Sequence, residues 1–152
     1  MRASPVPTLV LGLCLFAADA LGAVPADETA DAYSEERKRL VAEDLPLTET
    51  EAARFWPVYE RYQAELSQLL QRRRRYIEEY GSYYEEMTDE VAKKLIVESL
   101  DLEEDLLRLW RHYLPVFEKV LPAKKLARYY QIEGKIRAAV NAEIAERLPL
   151  MK

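Results

Sequence analysis

LTETEAARFWPVYERYQAELSQLL, residues 47–70, combines a helix-start signal with the apolar spacing of a long helix. Thr48 stands where its hydroxyl can accept from a backbone N–H of a first helical turn. Glu51, three residues on, can reach back to the Thr48 N–H. That reciprocal pattern is a capping box, and the carboxylate also suits the positive end of the helix. Behind it runs an apolar stripe of Phe55, Tyr59, Tyr62, Leu66, Leu69 or Leu70, Ile77, Tyr80 and Tyr84. Steps of three and four residues keep these side chains on one helical face. Gly81 and Ser82 lie near the expected end, and the helix is predicted to stop by Glu86.

Working outward, Thr88 caps a second long helix, with Asp89 and Glu90 in its first turn. Its stripe is Val91, Leu95, Leu102, Leu106, Leu109, Tyr113, Phe117 and Val120. Leu121-Pro122 breaks it, and Pro122 suits the first turn of a last helix. That helix carries Leu126, Tyr129, Ile136, Val140 and Ile144 and ends before Pro149. Ser34 to Glu43 is predicted to be a short helix capped by Ser34, stopped by Pro46. The chain holds 4 glycines and no alternating apolar/polar run, so strands are not expected. The predicted fold is all-α: a short N-terminal helix, a long antiparallel hairpin and a C-terminal helix.

The hairpin has a predicted register. Folded back near residue 86, it sets Arg72, Arg73, Arg74 and Arg75 against Glu98 to Asp101, with Glu103, Glu104 and Asp105 a turn further on. The arginine run is either a salt-bridged, solvated face or a patch for acidic or unfolded partners. The same register brings Pro57 level with Pro115. Proline inside a helix removes a hydrogen bond and bends it. Two bends at one level would curve the hairpin into a cradle, with Phe55, Trp56, Tyr59, Trp110, Tyr113 and Phe117 around a concave face. Helical spacing assigns most of these rings to the core. Trp56 and Trp110 lie one step off the seam, and Tyr76, Tyr83 and Tyr130 flank the stripes.

The N-terminal residues bear on location. Arg2 is followed by an apolar run from Val6 to Ala18, then by Ala20, Gly22, Ala23 and Ala26. Basic, then apolar, then small is the order of a secretory signal peptide, and the run falls short of the roughly 20 apolar residues of a spanning helix. Cleavage after Ala20, Ala23 or Ala26 is open, with Ala23 favoured. Residues 1–23 are thus read as a signal peptide, 24–33 as a flexible lead-in and 34–152 as one helical domain. The lone cysteine, Cys14, falls in the leader, so neither thiol nor disulfide is expected afterwards. The expected location is the periplasm, with no stable membrane span once the leader is removed. A hairpin with one further helix buries little surface by itself, which leaves a homodimer as an expectation.

Composition narrows the chemistry. A net charge of −5 with 32% charged residues gives no support to nucleic-acid binding. His112 is the only histidine and is read as a surface or seam residue, with no G-x-S-x-G turn in the chain. Gly134 stands alone in a helix, so no glycine loop cradles a phosphate. No catalytic residue, metal site or cofactor is assigned, and the chain is read as a non-enzyme.

Leu47-Thr48-Glu49-Thr50-Glu51 resembles the LTxxQ element of the Spy/CpxP-like periplasmic proteins, with Glu51 where that family has Gln. Phe55 to Tyr62 resembles the segment that follows it in exported members of the group. Val120 to Tyr129 resembles a degraded second copy that keeps the Leu and the helix-start context but lacks the Thr and Gln. The resemblance implies a cradle-shaped helical protein, often an antiparallel dimer. It also implies ATP-independent binding of unfolded envelope proteins, or inhibition of an envelope-stress sensor. Metal-binding relatives carry His-rich stretches that this chain lacks. The expected function is that of a periplasmic chaperone or envelope-stress adaptor. The alternative is a regulatory module that binds one envelope signalling protein and has no general chaperone activity. The residues expected to meet a client or partner are Trp56, Tyr59, Arg73, Arg74 and Trp110.

Overall fold

A computed structural model describes residues 26–151, so the signal-peptide reading lies outside the described residues. Four α-helices follow one another: α1 (Ala26–Asp44), α2 (Glu49–Tyr83), α3 (Asp89–Glu118) and α4 (Ala123–Arg147). A 3₁₀ turn, Tyr84–Glu86, joins α2 to α3. Among the described residues there is no strand, so the fold is all-α.

The helix starts follow the capping chemistry. The Thr48 hydroxyl accepts from the Glu51 N–H at 3.3 Å, and the Glu51 carboxylate accepts from the Thr48 N–H at 2.8 Å. Thr88 accepts from the Val91 N–H at 3.3 Å and opens α3. Pro122 sits one position earlier than expected, as the N-cap of α4 rather than in its first turn. Its fixed φ suits that place, and its carbonyl accepts from the Leu126 N–H at 3.0 Å.

One boundary differs from expectation. α1 begins at Ala26, so Ser34 lies inside the helix and does not cap it, and most of the stretch expected as a flexible lead-in is helical. Residues 26–33 contain neither glycine nor proline, and nothing in them stops a helix from extending.

α2 and α3 form the predicted antiparallel hairpin. The Tyr113 hydroxyl donates to the Glu65 carboxylate at 2.6 Å, Arg72 pairs with Asp105 at 2.6 Å, and Lys94 pairs with Glu79. Arg72 thus reaches the acidic residue a turn beyond the stretch directly opposite. Pro57 and Pro115 lie inside α2 and α3 respectively. The carbonyls they deprive of a helix donor, at Ala53 and Arg111, belong to exposed residues, where water can serve them.

α4 runs beside α2 along most of its length. Lys125 pairs with Glu51 at one end, and the Tyr80 hydroxyl donates to the Pro149 carbonyl at 2.6 Å at the other. α1 lies antiparallel to α4, with Arg37 paired to Glu133 and the Arg128 guanidinium donating to the Asp44 carbonyl. The core between them is aromatic: Phe55, Tyr59, Phe117 and Tyr129 are each 1% exposed or less. Tyr129 of α4 packs on Phe55 at 5.2 Å and on Phe117 at 5.0 Å. The rings expected around a concave face are mostly interior, as their helical spacing predicts, and α4 covers them.

Candidate interaction surface

The five residues expected to meet a partner do not converge on one face. Tyr59 is 1% exposed and is a core residue, enclosed by Phe55, Trp56 and Tyr129. Its expected role in binding is corrected accordingly: a ring at that depth cannot touch a client without unfolding the bundle. Trp56 is half-buried, with its ring edge-on to Phe55 at 5.0 Å and the Lys38 ammonium 5.7 Å from its centroid. That cation–π contact ties α1 to α2. Trp110 sits across the aromatic core from it, half-buried against Tyr62 at 5.2 Å and Tyr130 at 5.1 Å.

The arginines divide in the same way. Arg74 pairs with Glu78 on its own helix at 2.9 Å, an exposed contact of the solvated-face kind. Arg73 lies with Trp110 at a cleft between α2, α3 and α4. So Arg73 and Trp110 are neighbours, whereas Trp56 and Arg74 belong to other surfaces.

A different set of side chains forms an apolar exposed row among the described residues. On α3, Ile96, Leu100, Leu107 and Leu114 are 58%, 64%, 52% and 44% exposed. Their steps of four, seven and seven place them in one row, turned roughly 100° about the helix axis from the buried row. Trp110 falls between the two rows, and exposed Tyr130 of α4 packs on it from the side. The row is edged by exposed charges of both signs, Lys93, Glu103, Glu104 and Arg111. Leucine and isoleucine exposed singly are ordinary, but here they recur on one face of α3, Leu100, Leu107 and Leu114 two turns or about 10.5 Å apart, which makes that face the candidate interaction surface.

Sequence reasoning passed over this row because the stronger buried stripe accounted for the periodicity of α3. The signal was present as the heptad repeat of Leu100, Leu107 and Leu114. An α3 with one buried stripe needs no second one.

Burial, followed by the hydrogen bond with Glu65, pushes the Tyr113 phenol up to about 12. Burial likewise raises Tyr62 and Tyr129 above the ordinary tyrosine value. His112 is exposed, with its ring edge-on to Tyr113 at 5.3 Å. Among the described residues, no group of three or more His, Cys, Asp or Glu is placed to hold a metal ion. Among the same residues, no helix is long and apolar enough to cross a membrane. No protein-family model, curated protein or solved structure matches the chain.

Proposed function

We propose that the chain is an ATP-independent binding protein of the periplasm, a chaperone or envelope-stress adaptor, and that it works through the outer row of α3. The single observation that carries this reading is the row Ile96, Leu100, Leu107 and Leu114, exposed on a rigid helix whose other face is anchored in the core. Its occupants are short apolar segments of unfolded envelope proteins. Rim charges of both signs repel neither acidic nor basic flanks, which suits clients of varied sequence. Each leucine covered by a client removes apolar area from water, worth about 25 cal/mol per Å² before the costs of association. Contacts of that size form and release without nucleotide.

A second reading draws on the spacing itself. Leu100, Leu107 and Leu114 repeat every seven residues, the interval at which an amphipathic partner helix docks in fixed register. That arrangement favours one dedicated signalling partner, and a regulatory role, over many clients.

The test is aggregation suppression. Two unrelated unfolding clients are mixed with the wild-type chain and with Leu100→Glu/Leu107→Glu, without ATP. Protection of both clients by the wild type, and loss of most of it in the variant, is the expected result. Equal protection by the variant removes the α3 row from the function. Protection of neither client moves the assignment to the dedicated partner.

A further inference from the structure

Of the nine large apolar side chains exposed among the described residues, five stand on α3: Ile96, Val97, Leu100, Leu107 and Leu114. Their row has a symmetry that client binding does not require. Leu107 lies seven residues after Leu100 and seven before Leu114. Two α3 helices laid antiparallel about a two-fold axis at Leu107 therefore set Leu107 on Leu107. At each end Leu100 comes level with Leu114 of the second copy.

The exposed charges beside the row obey the same symmetry. At about 100° per residue, Lys93, Glu104, Arg111 and Glu118 fall on one flank of the row and Glu103 on the other. In an antiparallel pair each flank faces the same flank of the second copy. Glu104, three residues before Leu107, then stands within one residue's rise of Arg111 of the second copy, four residues after it, and the contact occurs twice. Lys93 and Glu118, fourteen and eleven residues from the axis, approach in the same way. Lys93, Arg111 and Glu118 take part in no ion pair among the described residues, and Glu104 holds only exposed Arg108 of its own helix. A parallel pair would instead face Glu104 with Glu103 of the second copy, like charge against like charge.

We propose that α3 is a self-association surface, through which two copies of the chain pair antiparallel about Leu107. The leucines supply the apolar contact, and the flanking charges choose the orientation. One helix meets one helix, so the pair is reversible and set by concentration. Pairing covers the row that clients would occupy, so client capture requires the pair to open. That consequence rests on the client reading of the row; the pairing itself does not.

Light scattering over a concentration series reads the mass. The expected result is a dimer that dissociates on dilution, and a Leu107→Glu variant that is monomeric with unchanged helicity. Glu104→Arg and Arg111→Glu should each weaken pairing about tenfold. An equimolar mixture of those two variants should regain the wild-type strength, because every junction again joins opposite charges. Orientation is read by disulfide trapping in a Cys14→Ser chain. Leu107→Cys should crosslink to its own kind, and Leu100→Cys only to Leu114→Cys. A chain that stays monomeric throughout, a dimer that Leu107→Glu leaves intact, or a mixture that stays weak overturns the pairing. Leu100→Cys crosslinking to itself overturns the antiparallel arrangement. Aggregation suppression by a strictly monomeric wild type would sink the pairing and leave the client reading standing.

Discussion

Glu133→Ala tests whether α1 and α4 are joined in the way the core implies. The Glu133 carboxylate is 2% exposed and accepts from Arg37 on α1 and Gln63 on α2, so it links three helices at one buried point. Removing it leaves the Arg37 charge buried without its carboxylate. Breaking a buried pair by deleting one partner costs about 3–5 kcal/mol. Total stability of a domain this size is roughly 5–15 kcal/mol, so the loss is a large fraction of the whole. At about 4 °C per kcal/mol the melting temperature should fall by roughly 12–20 °C, read by circular dichroism at 222 nm. Replacing both partners, Arg37→Met with Glu133→Leu, removes the desolvation cost along with the attraction. That double variant should recover most of the loss or exceed the wild type, because apolar replacement of a buried pair is often neutral or stabilising. A single variant that melts within about 3 °C of the wild type would show that the pair is solvated and refute the buried junction.

The remaining predictions concern helix starts, the chain end and pH. Thr48→Ala removes one half of the capping box and should cost about 1 kcal/mol in urea unfolding. Lys125, and then the Thr48 backbone N–H, hold the Glu51 carboxyl below its ordinary range. Its contribution is therefore complete above the ordinary carboxylate pKa and is lost as pH falls through the lowered native value; Glu51→Gln should flatten that part of the acid profile. Tyr80→Phe deletes the hydrogen bond to the Pro149 carbonyl, about 1 kcal/mol, and should speed amide exchange over Ile144–Leu148 while leaving the α2–α3 hairpin unchanged. At high pH the sign reverses. Tyr62, Tyr113 and Tyr129 titrate above the ordinary value of 10.0 when folded, so the unfolded chain gives up their protons first. Stability should fall steadily as pH rises above about 10, read as a falling urea midpoint.

Local chemistry was legible in the residues and long-range chemistry was not. Thr48, Glu51 and Thr88 declare helix starts because a cap needs only its own three following residues. The buried stripes of α2 and α3 could be read because periodicity records which face is dry. Antiparallel pairing followed from the short connection, and Arg72 duly meets Asp105. What escaped depends on α4. Helical spacing assigns most of the aromatic cluster to the core, but nothing in residues 47–118 says that Tyr129 is what closes over Phe55 and Phe117. Glu133 and Arg37 are separated by 96 positions, and a carboxylate in a helix reads as surface until its partner is placed. The outer row of α3 is a heptad hidden by the stronger periodicity of the buried stripe. Only the packing shows that the first row is consumed by the core and the second is left over.

The most direct test of the α3 row is site-directed photo-crosslinking. A benzophenone side chain placed at Leu107, and in a second variant at exposed Arg75 on α2, is irradiated with a permanently unfolded, apolar-rich client. Strong crosslinking is expected from position 107, abolished by Leu100→Glu in the same chain, with little from position 75. Equal yields from both positions, or a yield at 107 that survives Leu100→Glu, would contradict the assignment of binding to α3.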